Sequence, residues 1–135
     1  MPDIDLGHTL GPLHHPGLSK ERIAAYLQAA QFTGSFFYDL TFARSVGYRG
    51  IIVPGPLLAA LVEQFLRREL PGWEMERVST TLRVPTVTGD PLLFHGAVTE
   101  RHETPRGSRI VCDVVIGHRD ADNALTATAT LRRAR

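Results

Sequence analysis

The residues of this chain whose types and spacing could do chemistry gather between Phe37 and Glu63. Tyr38 and Asp39 are neighbours able to exchange protons, although an unassisted tyrosine titrates near about pH 10. Pro54-Gly55-Pro56 opens a long apolar helix, and a backbone N–H at a helix N-terminus can point at an oxygen that gathers negative charge. Glu63 is the only acid in the middle of that helix. At about 100° per residue it lies opposite the centre of the apolar stripe, which favours a solvated or interface-facing role. His14-His15 with His8 carry no carboxylate or thiol at ligand spacing, and adjacent histidines rarely point the same way, so no metal site is expected. His95 reads as a surface histidine on a strand. Cys112, the single cysteine, sits in an alternating apolar run and reads as a small core hydrophobe that can form no internal disulfide.

The elements that must position these groups fit one domain spanning 1–135. A chain of 135 residues with 43% hydrophobic residues can bury one real core. A net charge of +1 with interspersed signs gives no sustained basic face, so neither nucleic acid nor an anionic membrane is the expected partner. The N-terminus has no apolar leader and no run approaches the roughly 20 apolar residues of a membrane span, so a soluble, cytoplasmic protein is expected.

Residues 1–18, rich in Pro, Gly and His, read as an extended arm with at most one short strand. Ser19 caps a helix to about Ala30, and a second short helix covers Leu40 to Val46 and stops at Gly47. The spacing of Leu57, Leu58, Leu61, Val62, Phe65 and Leu66 predicts one long helix from Pro56 to Leu70. After Trp73 the period is two, with breaks near 87–91, 105–107 and 120–123, which gives four antiparallel strands. Val111 and Val115, opposite Ile110, Cys112, Val114 and Ile116, suggest a strand covered on both faces. Arg67-Arg68 suit a helix C-terminus, where cations are favourably placed. Arg132, Arg133 and Arg135 read as a solvated tail. A long helix that a meander must cover is an α+β, hot-dog arrangement whose free edge favours pairing of subunits.

The central segment resembles the MaoC-like dehydratases, the family of (R)-specific enoyl-CoA hydratases and 3-hydroxyacyl-thioester dehydratases. Asp39, Phe42-Ala43, Gly47-Tyr48, Gly50, Ile52 and Pro54-Gly55 fit, without a gap, the pattern His-x-Asp-x-x-Phe-Ala-x-x-x-Gly-Phe-x-Gly-x-Ile-x-(His or Pro)-Gly. Leu82 to Leu92 resembles the family's strand, Pro, Gly-Asp turn and following strand, and Ala97-Val98-Thr99-Glu100 the end of that strand. Leu125 to Ala129 is similar to its last strand, with Thr126 where a Gly is usual.

The departure falls on the chemistry. In the family an Asp-x-Asn-Pro-x-His motif holds and activates the water that adds to, or leaves from, the β-carbon. Its Asp aligns with Phe32, its Asn with Gly34, its Pro with Ser35 and its His with Phe37. A phenyl ring carries no proton, and a positioned acid or base contributes about 10²–10⁴-fold, so the family mechanism should be lost in this chain alone. Tyr38 and Asp39 are weak substitutes, since Asp39 looks structural in the family.

Binding of an acyl thioester, carried on CoA or a carrier protein, could outlast catalysis. Phe37, Tyr38, Val53, Pro54, Gly55 and Pro56 would line the site, and the Gly55 N–H would face the thioester carbonyl; no cofactor is implied. The resemblance then implies a silent subunit paired with an active hot-dog partner, as in mixed pairs of the family, or otherwise a homodimer. Two alternatives stand beside it. One is a self-sufficient thioesterase, isomerase or lyase using Tyr38, Asp39 or Glu63. The other is a non-enzymatic binder of acyl thioesters or apolar ligands.

Overall fold

Alternation of apolar and polar residues after Trp73 builds four long antiparallel strands in the computed structural model, which describes residues 4–31, 37 and 39–134. They are β2 (Glu74–Leu82), β3 (Leu92–Thr104), β4 (Gly107–His118) and β5 (Ala121–Ala134). A further strand, β1 (Thr9–His15), precedes three helices: α1 (Lys20–Ala29), α2 (Leu40–Ser45) and α3 (Gly55–Glu69). The sheet runs β1-β3-β4-β5-β2, so consecutive hairpins form its middle and β1 and β2 its two edges. The fold is α+β with the hot-dog topology.

The core is where the two periodicities meet. Leu57, Leu58, Leu61, Val62, Phe65 and Leu66 of α3 are buried in one cluster with Ile110, Cys112, Val114 and Ile116 of β4 and Leu125, Ala127, Ala129 and Leu131 of β5. The Phe65 and Phe94 rings meet at 5.6 Å. Each fully buried large apolar side chain is worth roughly 1.5–3 kcal/mol, whereas a side-chain N-cap is worth typically about 1 kcal/mol. Packing therefore fixes α3 even though Pro54, at its N-cap, makes no side-chain cap bond. The short helices do use caps: Ser19 Oγ accepts from Arg22 N at 3.1 Å, and Asp39 Oδ1 from Phe42 N at 3.1 Å.

One sequence expectation is met in the arm and two others change. Residues 9–15 of the expected arm supply its one short strand, β1, antiparallel to β3, with a bulge between Leu10 and Leu13 where the Gly11 N–H is accepted by Glu69 of α3. Residues 132–134 are not a tail but the end of β5. There Arg132 pairs with Glu74 at 3.2 Å and the Arg133 guanidinium stacks 4.7 Å over the Trp73 ring. Arg135 lies outside the described residues. Val111 and Val115 are only half-buried, and no second layer covers that face among the described residues. Cys112 is fully buried, and burial pushes its thiol up to about 12. No helix among the described residues is long and apolar enough to cross a membrane.

Candidate functional site

The connection from α2 to α3 is built to present the start of α3. Gly47 takes a positive φ of 100°, which lets the chain turn out of α2 while Tyr48 N bonds back to Ala43 O at 3.0 Å. The chain then runs beside the segment after β2. Ile52 forms an antiparallel bridge with Val87, Val53 N donates to Thr86 O at 2.8 Å, and Thr88 donates to Ile51 O from both N and Oγ1 at 2.8 Å. Gly50 is required at its position because a Cβ there would lie 2.8 Å from Val87 Cγ1.

This ladder delivers Pro54 and Gly55 to the mouth of α3. Leu57 N and Leu58 N both turn back to Pro54 O, at 3.1 and 3.3 Å, and Pro56 has no N–H. The Gly55 N–H is thus the one donor of the first turn left without an acceptor among the described residues, and a Cβ on Gly55 would meet nothing within 4 Å. An amide without an acceptor, at the positive end of a helix dipole, suits a carbonyl oxygen. Val53 and Pro54 are buried, Gly55 is half-buried and Pro56 is exposed.

Phe37 is half-buried and packs against the core. Phe32 and Tyr38 lie outside the described residues. Asp39 is exposed and spends a carboxylate oxygen on capping α2. Glu63 is on the surface, 3.8 Å from Arg67 one helical turn on. His14 and His15 face opposite sides of β1, the first exposed and the second half-buried. His15 Nδ1 accepts from Gly17 N at 3.0 Å, and burial followed by the charge of Arg22 lowers its pKa. His95 is exposed.

A second group borders the same segment, and only its Asp90, in the Gly-Asp turn, stands in a motif of the sequence. Arg49 reaches Asp90 at 2.6 Å and Asp120 at 2.6 Å, with a further bond from its Nε to Asp120 at 3.2 Å. Asp90 is 7% exposed, and the guanidinium is its ion-pair partner. The hydrogen bond from Arg49 holds the Asp120 carboxyl below the usual range, and the two carboxylates hold Arg49 firmly protonated. One ligand atom each of Asp90, His118 and Asp120 falls within 4.8 Å of the others, a spacing a metal ion could use. These atoms are already engaged. His118 Nε2 donates to Pro85 O at 3.1 Å, which leaves Nδ1 to accept from Asp120 N at 3.1 Å, and Arg49 supplies the positive charge between the carboxylates. Thr86 is 1% exposed, and its Oγ1 has no hydrogen-bond partner among the described residues.

No family model and no curated protein sequence matches the chain. Solved structures do. The (R)-hydratase from A. caviae involved in PHA biosynthesis superposes with a TM-score of 0.86 at 21% identity, covering 98% of this chain and 99% of that one. A MaoC-like dehydratase from Rhodospirillum rubrum gives 0.82 at 20% identity over 98% and 94% of the two chains. The fold is that of the MaoC-like dehydratases and (R)-hydratases. A chain of the ChsH1–ChsH2 complex from Mycobacterium tuberculosis shares this hot-dog fold at a TM-score of 0.81 and 24% identity, covering 97% of this chain and 98% of its own. At such identities the likeness carries the hot-dog architecture, and the chemistry rests on the residues.

Proposed function

We propose that this chain is the acyl-thioester-binding, non-catalytic subunit of an enoyl-CoA hydratase or 3-hydroxyacyl-thioester dehydratase, paired with a hot-dog partner that carries the catalytic Asp and His. The observation that carries the reading is the contrast at the site. The Gly55 N–H has no acceptor among the described residues at the start of α3, while Phe37 stands at the family's His position and the neighbouring Asp39 is committed to capping α2. The ChsH1–ChsH2 complex, a similar fold assembled from two differently named chains, supports the pairing.

In hydration, the partner's base takes a proton from water as the water oxygen bonds to the β-carbon, and the α-carbon receives a proton. Electron density moves onto the thioester oxygen between these events. The Gly55 N–H contributes a hydrogen bond to that oxygen, strongest when its charge is greatest. This chain's share is therefore positioning and polarisation.

The test is the loss of enoyl-thioester absorbance when the purified chain meets short and long trans-2-enoyl-CoA, alone and with any hot-dog chain that co-purifies with it. Turnover only with the partner is expected. Water addition by this chain alone refutes the reading and moves the search to other side chains. Tight acyl-CoA binding by a homodimer that never turns over favours a non-enzymatic binder.

A further inference from the structure

The Gly55 amide is useful only if it is aimed, and the segment that aims it runs between two glycines and a proline. Gly47 and Gly50 are the freest backbone positions on the approach, and neither carries a side chain to hold the segment. The bonds of Ile51 and Val53 to Thr88 and Thr86 run along one side of it, and the buried side chains of Ile51, Ile52 and Val53 seat it in the interior. Neither reaches back to the turn that precedes Gly50.

Arg49 supplies the second hold. It is the last side chain before Gly50, and it bridges two turns of the sheet that are remote from it in sequence: Asp90 before β3, 41 residues on, and Asp120 between β4 and β5, 71 residues on. Both turns are themselves built in. Gly89 N donates to Leu18 O at 2.9 Å, and a Cβ on Gly17 would lie 2.5 Å from Asp90 O, so Asp90 has little room to move. The Asp120 amide is tied to His118, whose ring reaches Pro85 O one residue before Thr86. The clamp and the ladder therefore close on the same stretch of chain from two directions.

We propose that Arg49, fixed by Asp90 and Asp120, is a positioning residue for the thioester site: it sets the course of residues 50–54 and so the direction of the Gly55 N–H. The inference rests on the thioester reading above. Arg49 touches no substrate in this account; it acts through the backbone between itself and Gly55.

The experiment uses the full chain and two readouts, amide hydrogen exchange and the affinity for a saturated long-chain acyl-CoA. Arg49→Met should speed exchange across residues 51–58 and leave the β3–β4 hairpin unchanged. If the aimed conformation falls to about a tenth of the population, the apparent Kd rises about tenfold. Arg49→Lys, which keeps the charge but reaches one carboxylate, should recover part of the affinity. Arg49→Met can unfold the chain by stranding the buried Asp90, so Asp120→Asn, which leaves the Asp90 bond in place, gives a milder version with a Kd change of about threefold. Unchanged exchange at residues 51–58, or unchanged affinity beside faster exchange, overturns the role assigned to Arg49. A wild-type chain that binds no acyl-CoA, alone or with its partner, overturns the thioester reading itself and this role with it.

Discussion

Thr86→Val should make the protein more stable, against the general run of core substitutions, which destabilise. Thr86 is 1% exposed and its hydroxyl has no partner among the described residues, while its main-chain carbonyl holds Val53 at 2.8 Å. A buried hydroxyl without a partner costs about 1–3 kcal/mol of lost hydration. Valine has nearly the same shape, leaves the Val53 bond untouched because that bond uses the backbone, and adds a methyl group to the apolar interior. We expect a gain of about 1–2 kcal/mol. Unfolding entropy near the midpoint is about 2.1 cal/mol/K per residue. For 135 residues this gives about 0.28 kcal/mol/K, so the Tm should rise by about 4–7 °C. Thermal unfolding followed by near-UV circular dichroism, checked by calorimetry for two-state behaviour, measures it. A fall in Tm would refute the reasoning, because it would mean that the hydroxyl has a partner in solution.

Gly50→Ala should cost about 1–3 kcal/mol, since its Cβ would fall 2.8 Å from Val87 Cγ1, and Val87→Ala in the same chain should restore part of the loss in denaturant titrations. Cys112, buried and with its thiol pushed up to about 12, should resist a thiol reagent at pH 8 in the folded chain and react at once in denaturant. Asp120 contributes stability through a pKa that is lower in the folded than in the unfolded state. Its contribution is complete above the unfolded value near 3.8 and is lost as pH falls through the folded value, so the Tm advantage of wild type over Asp120→Asn should hold at neutral pH and shrink below about pH 4.

The parts of this protein that were legible from residues alone are those that repeat. The apolar stripe of α3 and the alternation in β4 and β5 have periods set by backbone geometry, and each is buried as its period requires. The Ser19 cap was equally plain, because a cap is a local bond between residues three apart. A short strand in the N-terminal arm was legible but its bounds were not, because the Gly-Pro pair and the bulge there break alternation over seven residues. Arg132 and Arg133 suggested solvent by their charge, yet one is matched by Glu74 across a strand pair and the other by the aromatic face of Trp73, the residue just before it. At the site, the glycines and prolines from Gly47 to Pro56 marked the backbone path correctly. The Arg49 clamp gave no such mark: Asp90 stands in a recognisable Gly-Asp turn and Asp120 in a break between strands, but nothing local in either turn points to Arg49.

The free margin of β2 has a practical consequence. Its nine residues sit at the end of the sheet order, and its charges, Glu74, Glu76 and Arg77, crowd into the first half, leaving Val78 to Leu82 uncharged with Leu82 45% exposed. A neutral edge with no strand beyond it among the described residues is a template on which other chains can add as further strands and aggregate. Produced without a companion to occupy that margin, this protein should be short-lived in concentrated solution, and co-expression rather than buffer chemistry is the remedy its architecture recommends.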